Sequence, residues 1–126
     1  MRKVLDTNAV LYLLGGKLAE ALPVARYFVS VITEIELLSY PLLDAEEESQ
    51  IKDFLSDVTI TGLTQEIKQI AINLRRKYRL KLPDAVICAT ALNLEAELLS
   101  NDIKLSGIPD LSVKTLLLKN ISSFGD

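Results

Sequence analysis

The stretch KLPDAVICATAL, residues 81–92, places one aspartate at the start of an otherwise apolar segment. Pro83 and Asp84 are typical of a first helical turn, because proline lacks an N–H that would be unpaired there and the helix dipole favours an acid. We therefore predict a helix over 83–96. Asp84 is then either a residue that helps to start this helix or part of a solvated, reactive site.

Strand-like and helix-like segments alternate on either side of this helix. Short apolar runs predict strands at 3–5, 27–32, 58–63 and 97–100, and 113–117 is a candidate fifth strand. Helices are predicted in DTNAVLYLLGG and TEIELLSY and over 44–55 and 64–80. Because the strands are apolar without alternation, the pattern predicts an α/β fold whose central, mostly parallel sheet of four to five strands is covered on both faces.

The composition fits one domain over residues 1–126, with 49% hydrophobic and 25% charged residues. No apolar run reaches the roughly 18 residues of a membrane-spanning helix. The basic and apolar start is interrupted by Asp6 and Asn8 and lacks a cleavage pattern, so we expect a mature cytoplasmic protein with no membrane partner. Cys88, the single cysteine, fits a reducing compartment and is expected to be a packing residue.

The distribution of charge is more informative than the net charge of −3. The chain has no histidine, which removes the usual acid–base side chain near neutral pH and the commonest zinc ligand. A basic cluster falls within seven positions at the end of the predicted helix 64–80 and consists of Arg75, Arg76, Lys77, Arg79 and Lys81. It is either a track for a nucleic-acid backbone or a solvated helix end, and the sequence favours neither.

Four acids fall at element boundaries that one sheet edge could collect: Asp6, Glu36, Asp84 and Asp102. Asp6 follows the first predicted strand, Asp102 follows the fourth, and Glu36 lies about one turn beyond the second. Ligand sites in open parallel sheets lie beyond the carboxyl ends of the strands. Asp84 joins the others if its helix runs antiparallel to the strands.

Each acid also has a simpler interpretation. Asp6 could cap the helix after it, Asp84 could serve the helix dipole, and Asp102 could be a turn residue. Glu36 shares a helical face with Thr33 and Tyr40, whereas its neighbour Glu34 falls among apolar residues. Periodicity alone does not choose between the two glutamates.

Carboxylates that share a small pocket raise each other's pKa or require a cation. No basic residue adjoins Asp6, Glu36 or Asp84 in the sequence, and only Lys104 is near Asp102. Oxygen ligands without histidine or paired cysteine select Mg²⁺ or Mn²⁺. The expected chemistry is metal-assisted phosphodiester hydrolysis that leaves a 5′-phosphate and a 3′-hydroxyl, because no histidine is present to relay protons through a cyclic phosphate.

Four segments closely resemble, in order and spacing, the motifs of PIN-domain proteins: VLDTNAVLYLL (4–14), SVITEIELL (30–38), LPDAVICATAL (82–92) and LLSNDIKL (98–105). The chain is most similar to the toxin ribonucleases of VapBC-type toxin–antitoxin pairs, over nearly its whole length. This resemblance implies a three-layer α/β/α PIN-like fold and an Mg²⁺- or Mn²⁺-dependent endoribonuclease. The partners it implies are an RNA substrate, a VapB-like antitoxin whose tail covers the active groove, and a second copy in a homodimer.

The resemblance assigns the catalytic, metal-binding acids to Asp6, Glu36, Asp84 and Asp102, and so favours Glu36 over Glu34. Three further residues resemble supporting positions of the family: Thr7, Asn8 and Ser100. Asn101 stands where the toxins more often carry a basic or other polar residue.

Two alternatives belong to other functional classes. One is a PIN-like domain that binds RNA or protein without cleavage, which a cleavage assay on mixed RNA would distinguish. The other is a magnesium-dependent phospho-receiver module, which needs an acidic pair after the first strand and an aspartate after the third. The third predicted strand, VTITGL, ends without an acid.

Overall fold

A computed structural model describes residues 1–120 of the chain. Its strands are β1 (Arg2–Leu5), β2 (Arg26–Ser30), β3 (Thr59–Thr61), β4 (Glu97–Leu99) and β5 (Val113–Lys114). Its α-helices are α1 (Thr7–Leu14), α2 (Val31–Leu38), α3 (Ala45–Ser56), α4 (Gln65–Tyr78) and α5 (Leu82–Leu94), and a 3₁₀ turn spans Ile103–Gly107. The predicted domain also includes residues 121–126, which lie outside the described residues.

The strands form one parallel sheet in the order β3-β2-β1-β4-β5. The chain builds outward from β1 to β3 and then returns to the other side of β1 to add β4 and β5. The strand order therefore reverses between β1 and β4, and ligands of open α/β sheets bind in the crevice beyond the carboxyl ends at such a point. The prediction of an α/β fold with a parallel sheet of four to five strands is confirmed.

Successive residues of the central strands face two separate cores. Val4 packs with apolar residues of α4 and α5, whereas Leu5 packs with apolar residues of α1, α2 and α3. Because neighbouring strand residues point to opposite faces, helices on both sides require apolar residues at every position. This arrangement gives the three-layer α/β/α architecture and accounts for the lack of alternation in the strand sequences.

Helix α5 is buried along most of its length. Seven consecutive residues, from Ala85 to Ala91, are buried, and four of these seven are alanine or cysteine. Short side chains allow α5 to lie close to β1 and α4, and the one hydroxyl, that of Thr90, donates to the carbonyl of Val86 at 2.8 Å. The segment that opened the sequence analysis is thus the central helix of the fold, and it is apolar on all sides because it is surrounded by protein.

The boundary between β2 and α2 differs from the sequence-based prediction. The predicted strand 27–32 is too long, because β2 ends at Ser30 and α2 begins at Val31. The Ser30 side chain accepts a hydrogen bond from the Ile32 N–H at 3.0 Å and caps the helix. Helix capping therefore prevails over the strand preference of the β-branched residues that follow Ser30.

Two other strands are shorter than predicted. β3 ends at Thr61, and β5 is reduced to Val113–Lys114. Both are outermost strands of the sheet, and each has only one neighbouring strand with which to pair. Within residues 1–120, the search for a helix long and apolar enough to cross a membrane finds none.

Candidate active site

A cavity of about 400 Å³ opens at the carboxyl edge of the sheet, and the four predicted acids all line it. They come from four separate places: the end of β1, helix α2, the first turn of α5, and the segment after β4. The start of α5 therefore lies at the carboxyl edge, as an antiparallel crossover helix requires. The rest of the wall is formed by Thr7, Asn8, Ser39, Tyr40 and Ile87. We call this the carboxylate cavity.

Asp6 is a helix cap and also faces the cavity. Its Oδ1 accepts a hydrogen bond from the Ala9 N–H at 2.7 Å at the start of α1. Its own N–H donates to the carbonyl of Leu99 at 3.3 Å, which joins the ends of β1 and β4 at the point where the strand order reverses. The capping interpretation is thus confirmed, and capping does not remove the carboxylate from the cavity.

Asp84 and Asp102 are held differently. Helix α5 has Lys81 at its N-cap position and no side-chain capping hydrogen bond, so Asp84 lies in the first turn without acting as the cap. Asp102 is a turn residue, as its simpler interpretation predicted, because its Oδ1 accepts from the Lys104 N–H at 3.0 Å. The Asp102 N–H donates to Ser100 Oγ at 3.1 Å, which fixes the backbone just after β4.

Glu36 is held by a chain of two hydroxyl groups. Thr7 Oγ1 donates to Glu36 Oε1 at 2.5 Å, and Thr33 Oγ1 lies 3.0 Å from Thr7 Oγ1. Since the carboxylate can only accept, the Thr7 proton points to Glu36, and the Thr33 hydroxyl must be the donor to Thr7. The wall of the carboxylate cavity includes Glu36 and not Glu34.

Thr33 was not among the predicted site residues, although it is fully buried behind Thr7. The signal was present in the sequence as the three-residue spacing that puts Thr33 and Glu36 on one helical face. What the sequence could not show is that the side chain of Thr7, from another helix, lies between them.

The carboxylates of the cavity have no cationic partner in the described part of the chain. The ion pairs found within residues 1–120 are Lys3–Glu97 and Lys52–Glu48, and neither involves a cavity acid. The four acids are therefore a concentration of negative charge that the side-chain contacts of residues 1–120 leave unbalanced.

Burial and mutual repulsion shift the pKa values of two of these acids. Burial raises the pKa of Asp6, with a smaller contribution from the charges of Asp84 and Asp102, while hydrogen bonds from Ser100 and the Ala9 N–H oppose the rise. Burial also raises the pKa of Asp84, together with repulsion from Asp102 and Glu36. The carboxylates of the cavity are therefore near enough for their negative charges to repel one another.

The donor set fits a hard divalent cation. It offers four carboxylates with the hydroxyl of Thr7 and the amide of Asn8 nearby, and oxygen ligands of this kind suit Mg²⁺ or Mn²⁺. The side chains as arranged within residues 1–120 contain no group of three or more His, Cys, Asp or Glu residues that could together hold an ion. Joint coordination would therefore use side-chain rotation or bridging water.

The residues that resemble supporting positions lie around the acids. Ser100 is fully buried and its hydroxyl contacts Asp6 and Asp102. Asn8 is exposed at the rim. Asn101 pairs in both directions with the backbone of Leu116, with its Nδ2 donating at 3.1 Å and its Oδ1 accepting at 2.6 Å. The departure from the family pattern at Asn101 therefore has a structural role, because it attaches the segment after β5 to the end of β4.

The basic cluster is divided by the turn between α4 and α5. Arg79 and Lys81 line a second cavity of about 580 Å³. Three of the four acids, Glu36, Asp84 and Asp102, also line it. Lys104, which sequence analysis did not assign to nucleic-acid binding, lies in the same wall. The remaining members of the cluster are not part of this wall: Arg75, Arg76 and Lys77.

Cys88 is a packing residue, as predicted, because it is fully buried in the core between the sheet and α4. Burial raises the pKa of its thiol to about 12, and the charges of Asp84, Asp6 and Asp102 add to the shift. A thiol whose pKa is raised stays protonated near neutral pH, which agrees with a packing role for Cys88.

Comparisons with known proteins agree with this architecture. A family model for the PIN domain matches residues 3–111. A chain of a toxin–antitoxin complex from Klebsiella pneumoniae is 33% identical with a TM-score of 0.71, and the match covers 90% of this chain and 96% of that chain. A comparison with curated protein sequences finds no significant match.

Less similar sequences share the fold. VapBC2 from Rickettsia felis, bound to a DNA fragment from its promoter, matches with a TM-score of 0.78 at 21% identity, over 92% of this chain and 99% of that chain. DNA-bound VapBC from Salmonella typhimurium matches with a TM-score of 0.78 at 16% identity, over 91% and 98% of the two chains. From the family match over residues 3–111 and the solved structures that share its fold, we conclude that the chain belongs to the PIN-domain family.

Proposed function

We propose that this protein is a divalent-metal-dependent endoribonuclease and the toxin of a VapBC-type toxin–antitoxin pair. The observation that carries the proposal is the meeting of four carboxylates from four separate elements in one cavity, without a basic partner within residues 1–120. Membership of the PIN-domain family and the likeness to chains of VapBC complexes support it. A divalent cation would complete the charge balance that the side chains leave open, and it would also attract the negative phosphate of a substrate.

In the proposed site, Asp6, Glu36, Asp84 and Asp102 hold Mg²⁺ or Mn²⁺, either directly or through water. When bound, the ion supplies Lewis-acid stabilisation of charge on the phosphate oxygens and lowers the pKa of coordinated water. Hydrolysis forms a bond from a water oxygen to phosphorus and breaks the bond to the 3′ oxygen. The products are a 5′-phosphate and a 3′-hydroxyl.

Neighbouring hydroxyl groups contact two of the acids. Thr7 donates to Glu36 and holds one carboxylate oxygen, which leaves the other free for the cavity. The hydroxyl of Ser100 opposes the rise of the pKa of Asp6 that burial causes. Such contacts hold a carboxylate in place before a cation binds, which reduces the reorganisation required at the site.

A VapB-like antitoxin is the proposed protein partner, and a homodimer in the bacterial cytoplasm is the proposed form of the toxin. An apolar cavity of about 610 Å³ between α1 and α3 meets the carboxylate cavity at Tyr40. Leu42 lies in its wall and is 94% exposed. An antitoxin tail that covers the active groove would also cover this apolar surface.

The receiver-module alternative loses its basis in the topology. The strand order β3-β2-β1-β4-β5 differs from the 2-1-3-4-5 order of receiver-like folds. β3 ends at Thr61 and is followed by Gly62 and Leu63, so no phospho-accepting aspartate stands at its carboxyl end.

The proposal is tested by controlled expression in a bacterium with mapping of RNA ends, comparing the wild type with Asp6→Asn. Asparagine caps a helix about as well as aspartate, so the variant is expected to fold and to lose cleavage. Glu36→Gln with Glu34→Gln as its matched control compares a cavity residue with its neighbour on α2. Cleavage by purified protein that persists in EDTA, or ends carrying 2′,3′-cyclic phosphate, would overturn the mechanism.

A further inference from the structure

A basic groove leaves the carboxylate cavity on the side of the α4–α5 turn. It is the second cavity described above, of about 580 Å³, and it shares Asn8, Glu36, Asp84 and Asp102 with the first. The residues that belong to it alone include three cations from two different parts of the chain: Arg79, Lys81 and Lys104. The wall of the groove therefore combines three of the acids with three cations.

The cations of the basic groove are available to bind an anion. Arg79, Lys81 and Lys104 are exposed, and none of them belongs to an ion pair found within residues 1–120. Lys104 and Lys81 are nevertheless near enough to Asp84 for their charges to lower its pKa against the stronger effect of burial. Both lysines are therefore near the acids but form no ion pair with them within residues 1–120.

The turn that carries Arg79 is held in one conformation. Arg79 ends α4 with φ of 56° and ψ of 36°, a left-handed conformation in which glycine is the usual residue. Its N–H donates to the carbonyl of Arg75 at 3.0 Å, and Arg75 Nε donates to the carbonyl of Leu80 at 3.2 Å. An arginine here costs backbone strain that a glycine would avoid, so the local fold does not account for its side chain.

The rest of the basic cluster lies elsewhere. Arg75 is engaged with the turn, and Lys77 Nζ lies 5.5 Å from the centre of the Tyr78 ring. Neither these two residues nor Arg76 lines the basic groove. The cations that border the acids are thus a different set from the run that stands out in the sequence, since the set loses three members and gains Lys104.

We propose that the basic groove binds the RNA backbone on one side of the scissile phosphate, with Arg79, Lys81 and Lys104 contacting successive phosphates. This inference rests on the proposed ribonuclease function and adds the direction in which the substrate leaves the acids. Contacts of this kind set the register of the strand and are independent of base sequence. The apolar cavity borders the carboxylate cavity at a different residue, Tyr40, so the acids adjoin a surface with cations in one place and an apolar surface in another.

The test measures binding of a single-stranded RNA to the full chain in EDTA at several salt concentrations, so that it does not depend on cleavage. Each phosphate contact that is lost lowers the slope of log affinity against log salt by about 0.7 and weakens binding about 5-fold at 0.1 M salt. We expect these losses for Lys81→Gln and Lys104→Gln. The matched controls are Arg76→Gln, in the same cluster, and Lys68→Gln, which is exposed on α4, and both should keep the wild-type slope.

Arg79→Gly separates binding from folding. The substitution removes a cation and relieves the left-handed strain, so the melting temperature should stay the same or rise while the salt slope falls. The groove assignment is overturned if the three groove variants keep the wild-type slope, if the controls lose as much as they do, or if the wild type does not bind the RNA. RNA cleavage with unchanged slopes would reject the groove alone, whereas groove-dependent binding without cleavage would reject the proposed nuclease function alone.

Discussion

The two edges of the central sheet bury charge in opposite ways. Near the amino edge, Lys3 is 5% exposed, and its Nζ lies 2.5 Å from Glu97 Oε1 on the adjacent strand. At the carboxyl edge, Asp6 is 8% exposed and its charged neighbours in the cavity wall are acids. The charge of Lys3 is balanced by Glu97, whereas no ion pair found within residues 1–120 balances the charge of Asp6.

This difference separates a structural use of buried charge from a functional one. A buried ion pair between two strands favours one register of those strands. The protein loses stability when either partner is removed. A cluster of like charges lowers the stability of the ligand-free protein and attracts a cation. Substitutions at the two edges should therefore change different quantities.

The largest effect is expected for Asp84→Asn at the carboxyl edge. With Asp84 as a metal ligand, as proposed above, RNA cleavage should fall at least about 100-fold, because loss of a ligand costs more than loss of a supporting contact. The metal-free variant should melt at a higher temperature than the wild type, since a repelling charge is removed. Cleavage rates and thermal melting in EDTA provide the two measurements. A variant that loses activity because it melts at a lower temperature would remove the distinction between the edges.

The next effect is expected at the amino edge. Lys3→Met leaves Glu97 without its partner and should lower the free energy of unfolding by about 3 kcal/mol, the low end of the range for a broken buried pair. The low end applies because 27% of the Glu97 side chain remains exposed. Urea denaturation measures the loss, and the double variant with Glu97→Leu should recover most of it. A single variant as stable as the wild type would show that the pair is not structural.

A smaller effect should separate positioning from packing at the carboxyl edge. Thr33→Val keeps the shape of the side chain and removes the hydroxyl that supports Thr7 and, through it, Glu36. Cleavage should fall about 10-fold, with a higher Mn²⁺ concentration needed for half-maximal rate. Thr90→Val is the matched control, because its buried hydroxyl donates to its own helix at Val86. Equal losses in both variants would indicate general disturbance of packing.

The smallest effect is the pH dependence of stability in the metal-free protein. The pKa values of Asp6 and Asp84 are raised above the ordinary value of 3.8, so the folded state binds their protons more tightly than the unfolded state does. Their contribution to stability is fully present below that value and is lost as the pH rises through the raised pKa values. As the pH rises through this range, the melting temperature of the wild type should fall relative to that of Asp84→Asn. Added Mn²⁺ should reduce the difference. An identical pH profile for the two proteins in EDTA would contradict the repulsion.

Much of the fold was predictable because its signals are local. The strands of the centre are continuous apolar runs, and the helices carry caps or helical periodicity. The prediction was wrong at the end of β2, where the side chain of Ser30 caps α2 and prevails over strand preference. That outcome depends on competition between two local preferences of similar strength, which sequence patterns rank poorly.

The candidate site was predictable in its acids and less so in their surroundings. Asp6 and Asp102 follow strands, and the strand rule for parallel sheets is enough to bring them together. Thr33 and Lys104 were missed as site residues, because their importance depends on which side chain of another element lies opposite. The structure divides the basic cluster into two parts, because a left-handed residue at Arg79 turns the chain.

The sequence by itself determined the alternation of strands and helices, the absence of histidine, and the positions of Asp6, Asp84 and Asp102 at element boundaries; Glu36 lies inside α2. These are properties of neighbouring residues, and periodicity and composition express them directly. Only the tertiary structure decided that Glu36 faces the acids instead of Glu34, that Thr33 acts through Thr7, and that Lys104 joins Arg79 and Lys81. The physical reason is that these relations depend on side-chain directions from elements far apart in the chain, which packing of the helices on the sheet determines.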